Sequence, residues 1–154
     1  MDTLWPLSKE LLLAILSDQI SDQFVCKLIW ERLEYIPRIE DGFEKYFASS
    51  NTPDYWKEKF PEAPAVIAQR AASVHLTRAI PKEYKQSLKE CLNFKGYAIN
   101  ELFPRRTRRA TAVNWLLAWL LVRKTHLLPQ GPLPLLLNEP LNPLLGHPGD
   151  LPIE

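Results

Sequence analysis

One stretch in the second half of the chain, residues 104–124, restricts the fold more than any other. Its eight consecutive apolar residues, 115–122, point in every direction around a helix at about 100° per residue. A helix that is apolar on all sides has to be enclosed by the rest of the chain. The run is much shorter than the roughly 18 residues that a membrane span requires. We therefore expect a central buried helix that begins at Pro104 and does not enter a membrane.

The start of this helix carries four arginines, Arg105, Arg106, Arg108 and Arg109, within one arc of about 160°. This placement opposes the local electrostatics. Like charges four residues apart repel each other, and the first turn of a helix already carries about half a positive charge. Anions therefore have to offset the charge of the cluster, which we predict to surround the exposed entrance of the helix.

Two sources of anions remain open. Net charge is unevenly distributed, at −5 for residues 1–69, +9 for residues 70–124 and −3 for residues 125–154. The external source is phosphate, bound by the guanidinium groups and by the free N–H groups of the helix start. The internal source is carboxylates of the acidic first part that fold against the arginines. Candidates for these carboxylates are Glu31, Glu34, Glu40 and Asp41.

Further cations extend the external possibility into a basic face suited to a nucleic-acid backbone. The leading hypothesis is a non-enzymatic binding module for phosphate, above all for the backbone of RNA or DNA. Its predicted binding residues are Arg78, Lys82, Lys85, Lys89, Arg105, Arg106, Arg108 and Arg109. The alternative is a protein-interaction or assembly factor that contacts other proteins through its acidic N-terminal half and its Leu/Pro-rich tail, with the arginines as an internal ion-pair network. Exposed, unpaired arginines favour the first hypothesis, and arginines buried against carboxylates favour the second.

Helix signals dominate the rest of the chain. The predicted fold class is mainly α, a compact helical domain with about five helices and at most two short strands. Ser8 and Ser21 are suitable N-cap residues for the first two helices, and Pro37 is expected to end the second. The five helices are predicted over residues 9–17 and 22–35, after Pro53, over 82–92, and from Pro104.

Strand signals are weak. Alternating apolar and polar residues predict short strands at 74–79 and at 96–100. Between Pro37 and Pro53, aromatic residues are mixed with turn residues. This segment is predicted to be a loop or a short hairpin around Asp41-Gly42.

The last 29 residues, 126–154, differ in composition from the domain that we expect over residues 1–125. They contain seven prolines and ten leucines, with no lysine or arginine. Proline at this density favours an extended chain, yet so many leucines are too apolar for a solvated linker. The tail is expected to lie on its own domain, or else to dock onto a protein partner or a second copy. We predict that Leu133–Leu137 and Leu144–Leu145 pack into an apolar groove.

Signals for catalysis are missing from the sequence. His75, His126 and His147 are scattered, and no metal-ligand spacing, phosphate-binding glycine loop or nucleophile motif is present. Cys26 and Cys91 lie far apart in apolar surroundings, which indicates reduced core thiols in a cytoplasmic protein. We expect no enzymatic activity, no catalytic residue, no metal and no cofactor.

Two segments resemble a known family. They are VHLTRAIPKEYKQSLKECLNFKGYAINELFPRRTRRATAVNWLL, residues 74–117, with LTRAIPKE and PRRTRRAT as its most specific parts, and KLIWERLEY, residues 27–35. Together they are similar to short cyanobacterial proteins, with relatives in plastids, that are defined by a domain of unknown function. The resemblance implies a single small domain in a bacterial cytoplasm. It implies no activity, cofactor or catalytic residue, and it does not extend to the tail.

Overall fold

The computed structural model describes residues 4–154, and within this range the chain forms six α-helices, one antiparallel hairpin and two short 3-10 turns. In chain order they are α1 (Lys9–Leu16), α2 (Asp22–Arg32), β1 (Ile36–Glu40), β2 (Phe43–Phe47), α3 (Asp54–Lys59), α4 (Arg70–Arg78), a 3-10 turn (Lys82–Tyr84), α5 (Ser87–Leu92), a second 3-10 turn (Ile99–Glu101) and α6 (Pro104–Val122). The mainly α fold class is confirmed, with one helix more than the predicted five.

Helix α6 lies at the centre of the fold, since α1, α2, α4 and α5 all contact it. Trp115, Leu117 and Leu120 are buried, as predicted. Trp119 is only half-buried and Val122 is exposed. The rest of the chain therefore encloses the middle of α6 but not its last turn. Within residues 4–154, none of the helices is at once long and apolar enough to span a bilayer.

The first two helices begin where their capping residues predict. Ser8 Oγ accepts a hydrogen bond from Leu11 N at 3.0 Å, and Ser21 Oγ accepts one from Phe24 N at 3.2 Å, so each serine satisfies a free N–H group of the first turn. The end of α2 was predicted too late. Its last helical residue is Arg32, because Glu34 adopts a left-handed backbone conformation with φ of 63° before Pro37 is reached.

The two strands form a hairpin that projects from the helical core. β1 and β2 pair in antiparallel register, with Ile36 opposite Phe47, and the turn residues Asp41 and Gly42 both have positive φ, as two-residue hairpin turns require. The outer edge of β2 is fixed to the segment that follows α3, because Ala63 N donates to Tyr46 O at 3.0 Å. Every residue of β1 is exposed.

Both strands predicted from alternation are wrong. Residues 74–79 lie mostly in α4, whose Ala72 and Leu76, four residues apart, are fully buried on one face. Residues 96–100 lead into the second 3-10 turn. The helix predicted over 82–92 is interrupted, since Gln86 has non-helical angles of −101° and 17° between the first 3-10 turn and α5. Asn93 ends α5 in the left-handed conformation, with φ of 54°.

The tail, residues 126–154, contains no helix or strand and runs over the surface of its own chain. Its backbone hydrogen bonds mark the path from α1, past the turn between α1 and α2, to the start of α4. They join Lys9 N to Leu128 O at 2.7 Å, Leu137 N to Gln19 O at 2.8 Å, and Glu154 N to Ala68 O at 2.8 Å. Few of its leucines are covered by this path. Of the six leucines predicted to pack into a groove, Leu133 packs against the core, while Leu135 and Leu145 are 86% and 65% exposed.

Candidate functional site

Arg105 lies at the centre of a buried ionic cluster. Its side chain is fully buried and donates four hydrogen bonds to two carboxylates, that of Asp18 in the turn after α1 and that of Asp22 at the start of α2. Nη1 and Nη2 contact the two oxygens of Asp18 at 2.7 and 2.9 Å. Nε and Nη2 contact the two oxygens of Asp22 at 3.0 and 2.9 Å. Such two-point contacts between a guanidinium and a carboxylate are among the strongest polar contacts in proteins.

Arg109 lies one helical turn after Arg105 and is also fully buried. It contacts the same two carboxylates, Asp18 and Asp22. Its Nη1 donates to Asp22 Oδ1 at 2.6 Å and its Nη2 donates to the carbonyl oxygen of Ile15 at 2.9 Å. Its Nε lies 3.5 Å from Asp18 Oδ1. The repulsion between the two arginines is therefore offset by carboxylates that contact both of them.

The tail closes this cluster on the outside. The Asp150 carboxylate accepts hydrogen bonds from Asp22 N at 3.0 Å and Gln23 N at 3.2 Å, at the N-terminus of α2. It also lies 3.9 Å from Arg105 Nη2, and His147 Nε2 lies 3.1 Å from Asp18 Oδ1. We define the buried ionic cluster as Asp18, Asp22, Arg105, Arg109, His147 and Asp150.

Burial and pairing act in opposite directions on the pKa values of the cluster. Burial by itself raises the pKa of Asp18, but the hydrogen bond from Arg105 and the charge of Arg109 outweigh it, so this pKa lies below its ordinary value. Burial by itself lowers the pKa of Arg105, but Asp18 and Asp22 outweigh it and raise this pKa. Both groups are therefore charged at neutral pH, and the cluster connects α6, the α1–α2 turn and the tail.

The prediction that the arginines surround an exposed helix entrance is wrong for Arg105 and Arg109. The internal source of anions is the correct one, but it consists of Asp18, Asp22 and Asp150. None of the predicted carboxylates, all of which lie in the described range 4–154, forms an ion pair with Arg105 or Arg109. The predicted residues were Glu31, Glu34, Glu40 and Asp41. A signal for burial was present in the sequence, since Arg105 and Arg109 share a helical face with Ala112 and Leu116, both fully buried.

The other two arginines of α6 are also in contact with the protein. Arg106 places its guanidinium 5.4 Å from the ring centre of Phe103 and 6.0 Å from that of Tyr97. Arg108 Nη1 donates to the carbonyl oxygens of Ile67 and Ala68 at 2.9 and 3.1 Å, and its Nη2 donates to Glu154 O at 2.8 Å. The four arginines therefore do not form the predicted continuous basic surface.

The predicted lysines occupy a different site, a cavity of about 820 Å³ between α5, the chain that follows it and α6. Lys85 and Lys89 line it, together with Lys95. None of its lining residues in the described range 4–154 is acidic. We call this site the lysine groove and define it by Lys85, Lys89, Phe94, Lys95, Tyr97 and Asn114. Lys82 is exposed outside the groove, and Arg78 lines a separate pocket beside Tyr55 and His75.

Sequence reasoning missed Asn114, the most buried polar side chain of the lysine groove. It is 8% exposed, and its Nδ2 donates to Lys85 O at 3.2 Å. Its Oδ1 is buried and has no hydrogen-bond partner among residues 4–154. An unsatisfied buried acceptor costs about 1–3 kcal/mol, and a polar residue in the apolar middle of α6 was the signal that could have identified it.

A family model for a domain of unknown function, DUF1823, matches residues 6–121. The chain belongs to this family. A solved structure, determined by NMR in solution, is similar to the chain at 44% identity with a TM-score of 0.66, over 80% of this chain and 99% of that one. Among curated proteins, none matches the sequence. The family match ends at residue 121, before the tail that contributes His147 and Asp150 to the buried ionic cluster.

Proposed function

We propose that the protein is a non-enzymatic binding module that holds phosphate groups of RNA or DNA in the lysine groove. The observation that carries this proposal is the charge of the lining, which includes Lys85, Lys89 and Lys95 and, within residues 4–154, no carboxylate. Three ammonium groups around one cavity repel each other, and a phosphate backbone removes that repulsion while it releases counterions.

The aromatic residues of the groove support a single-stranded ligand. Phe94 and Tyr97 pack edge to face, with ring centres 5.1 Å apart. Tyr97 Oη donates to Leu16 O at 2.9 Å, which fixes the orientation of its ring. Unpaired bases stack on such fixed rings while lysines contact the phosphates. Asn114 Oδ1 has no hydrogen-bond partner among residues 4–154 but is buried, so it becomes an acceptor for a base amino group or a ribose hydroxyl only after a side-chain movement that exposes it.

The test is fluorescence anisotropy with labelled single-stranded RNA and DNA of mixed sequence. We expect binding at low salt that weakens as salt rises, with a log–log slope of about −0.7 per phosphate contacted. The variant Lys85→Glu/Lys89→Glu/Lys95→Glu should lose binding while circular dichroism shows a retained fold. The matched control, Lys9→Glu/Lys27→Glu/Lys59→Glu, makes the same change in net charge at exposed lysines outside the groove and should keep most of the affinity.

Two results would contradict the proposal. One is no binding of either nucleic acid by the folded wild-type protein at low salt. The other is an equal loss of affinity in the two triple variants, because this would assign the binding to overall charge and not to the groove.

A second candidate function is that of a protein-interaction or assembly factor. Two observations favour it, the burial of Arg105 and Arg109 and the solvent-exposed leucines of the tail. Leu135 and Leu141 are 86% and 107% exposed, although the tail that carries them runs along the surface of the domain. Exposed leucines on an extended segment are typical of a surface that another protein covers. Sedimentation of the wild type against Leu135→Ser/Leu141→Ser tests this: a concentration-dependent assembly that the variant lacks would support it, and a monomer in both would contradict assembly through the tail.

A further inference from the structure

A second, smaller cavity, of about 220 Å³, lies between the end of α2, the start of α3 and the last turns of α6. Most of its lining is apolar, with Leu33, Trp56, Trp115 and Val122 among the residues that form it. Its polar lining residues are Arg32, Trp119 and Arg123, and no acidic residue of the described range 4–154 lines it. We call it the Arg32 cavity.

Arg32 is a buried cation that has no carboxylate partner at ion-pair distance among residues 4–154. It is only 6% exposed. Its Nη1 and Nη2 donate to the backbone carbonyl oxygens of Leu28 and Trp5, and its Nε has no hydrogen-bond partner. Burial lowers the pKa of Arg32 to about 10, so the group is still charged at neutral pH. Buried charges in proteins are normally paired with an opposite charge, and among residues 4–154 no carboxylate lies at ion-pair distance from Arg32.

Trp119 lines the same cavity and carries a second buried donor. Its Nε1 has no hydrogen-bond partner among residues 4–154, although a buried indole N–H usually has one. Trp5 and Trp30 follow that rule, since their Nε1 atoms donate to the carbonyl oxygens of Pro132 and Pro64. The guanidinium of Arg32 lies 5.0 Å from the Trp119 ring centre, so the two side chains that carry these donors are in contact.

We propose that the Arg32 cavity binds a small apolar carboxylic acid. One carboxylate has the two oxygens and the negative charge that Arg32 Nε and Trp119 Nε1 require. Its hydrocarbon part would contact Trp56 and Trp115 in the apolar part of the cavity. A phosphate group fits less well, because its additional oxygens would be buried among apolar side chains without donors. The volume is below the roughly 300–1,000 Å³ of pockets for drug-sized ligands, which restricts the acid to a single ring or a short branched chain.

Entry requires one movement, because both donor nitrogens are shielded from solvent. The exposed side chain at the rim is Arg123, whose guanidinium lies 4.1 Å from the Trp119 ring centre. Its rotation away from Trp119 opens the path, and its charge attracts an acid to the rim.

The experiment measures binding of benzoate and of 4-methylpentanoate to the full chain by NMR, with the Trp119 indole N–H signal as the reporter. We expect that signal to shift on titration and expect benzamide, which has the shape of benzoate without its charge, to bind at least tenfold more weakly. Arg32→Met should abolish binding. Trp119→Phe, which keeps an aromatic ring but removes the N–H, should weaken it about tenfold, with the indole N–H signal of Trp115, another lining residue, as the reporter for that variant. Arg38→Met, a change of an exposed arginine in β1, is the matched control and should have no effect.

The result that would overturn the proposal is equal affinity for benzoate and benzamide, or binding that survives Arg32→Met in a folded protein. Absence of binding of both acids by the wild type would overturn it as well. The lysine groove is tested separately, because Lys85→Glu/Lys89→Glu/Lys95→Glu should leave benzoate binding unchanged. Loss of benzoate binding in that variant would place the acid in the groove and also contradict the inference.

Discussion

The Arg105 guanidinium and the Asp18 carboxylate meet in a two-point contact of 2.7 and 2.9 Å, although the residues lie 87 positions apart in the chain. Neither side chain is more than 2% exposed. The contact connects the start of α6 to the turn after α1. Asp18 adopts a left-handed backbone conformation there, with φ of 60°, at a position after a helix where glycine is usual. Asp18 therefore holds its carboxylate against Arg105 from an unfavourable backbone conformation, which indicates that the ion pair fixes this turn.

The first prediction concerns that contact. Arg105→Met should lower the free energy of unfolding by about 3–5 kcal/mol, because it leaves Asp18 and Asp22 buried with less positive charge to offset them. Urea denaturation at pH 7 measures the change. The control is Lys57→Met, which breaks the exposed pair of Lys57 with Asp54 and should cost less than about 1 kcal/mol. Equal costs in the two variants would show that the buried ionic cluster does not stabilise the fold more than a surface pair does.

A second prediction follows from the lowered pKa of Asp18. The folded protein binds the proton on Asp18 more weakly than the unfolded chain does, for which the ordinary value is 3.8. The stabilisation is therefore complete above about pH 4 and is lost as the pH falls through the lower pKa of the folded state. Urea denaturation between pH 7 and pH 3 should give a steeper loss of stability for the wild type than for Asp18→Asn. Parallel curves would contradict the assignment of this acid sensitivity to Asp18.

Local signals in the sequence predicted the local structure well. The Ser8 and Ser21 caps and the start of α6 at Pro104 depend on a few neighbouring residues, so a single sequence contains what decides them. The strand predicted at 74–79 failed for the converse reason. Its alternation was a local pattern, and burial of one helical face of α4 against α6 decided the outcome.

The candidate site was predictable in part. The charge conflict at the start of α6 correctly indicated that anions lie against the arginines. The identity of those anions could not be predicted, because Asp18 and Asp150 are brought to Arg105 by the packing of α1 and of the tail, more than 40 positions away on either side. The burial of Arg32 without a carboxylate partner among residues 4–154 was equally hidden, since in the sequence a charged residue at the end of α2 looks like any other solvent-exposed arginine.

The third prediction compares one substitution at two positions. Leu117→Ala removes a side chain that is 1% exposed on α6 and should cost about 2–5 kcal/mol. Leu135→Ala removes the same atoms from the exposed tail and should change the stability by less than about 0.5 kcal/mol. Thermal unfolding by circular dichroism measures both. A large loss at Leu135 would mean that the tail is covered in solution by another part of the protein or by a second copy.

The fourth prediction concerns how the tail is fixed to the domain. Asp150 accepts hydrogen bonds from three backbone N–H groups, those of Asp22, Gln23 and His147. It acts as a capping residue for α2 that is supplied from the other end of the chain. Asp150→Ala should therefore cost about 2 kcal/mol, while Asp150→Asn should cost less, because asparagine is also a good cap.

Hydrogen exchange of the tail amides separates this role from a general loss of stability. The amides of Leu137 and Glu154 donate to Gln19 O and Ala68 O, on the two sides of Asp150 along the tail. In Asp150→Ala they should exchange faster than in the wild type while the amides of α6 remain protected, because the tail detaches without unfolding the core. Glu139→Ala, an exposed carboxylate in the same tail, is the control and should leave both amides unchanged. If Asp150→Ala also left them unchanged, the tail would be held by its apolar contacts at Leu133 and Ile153 and not by the cap.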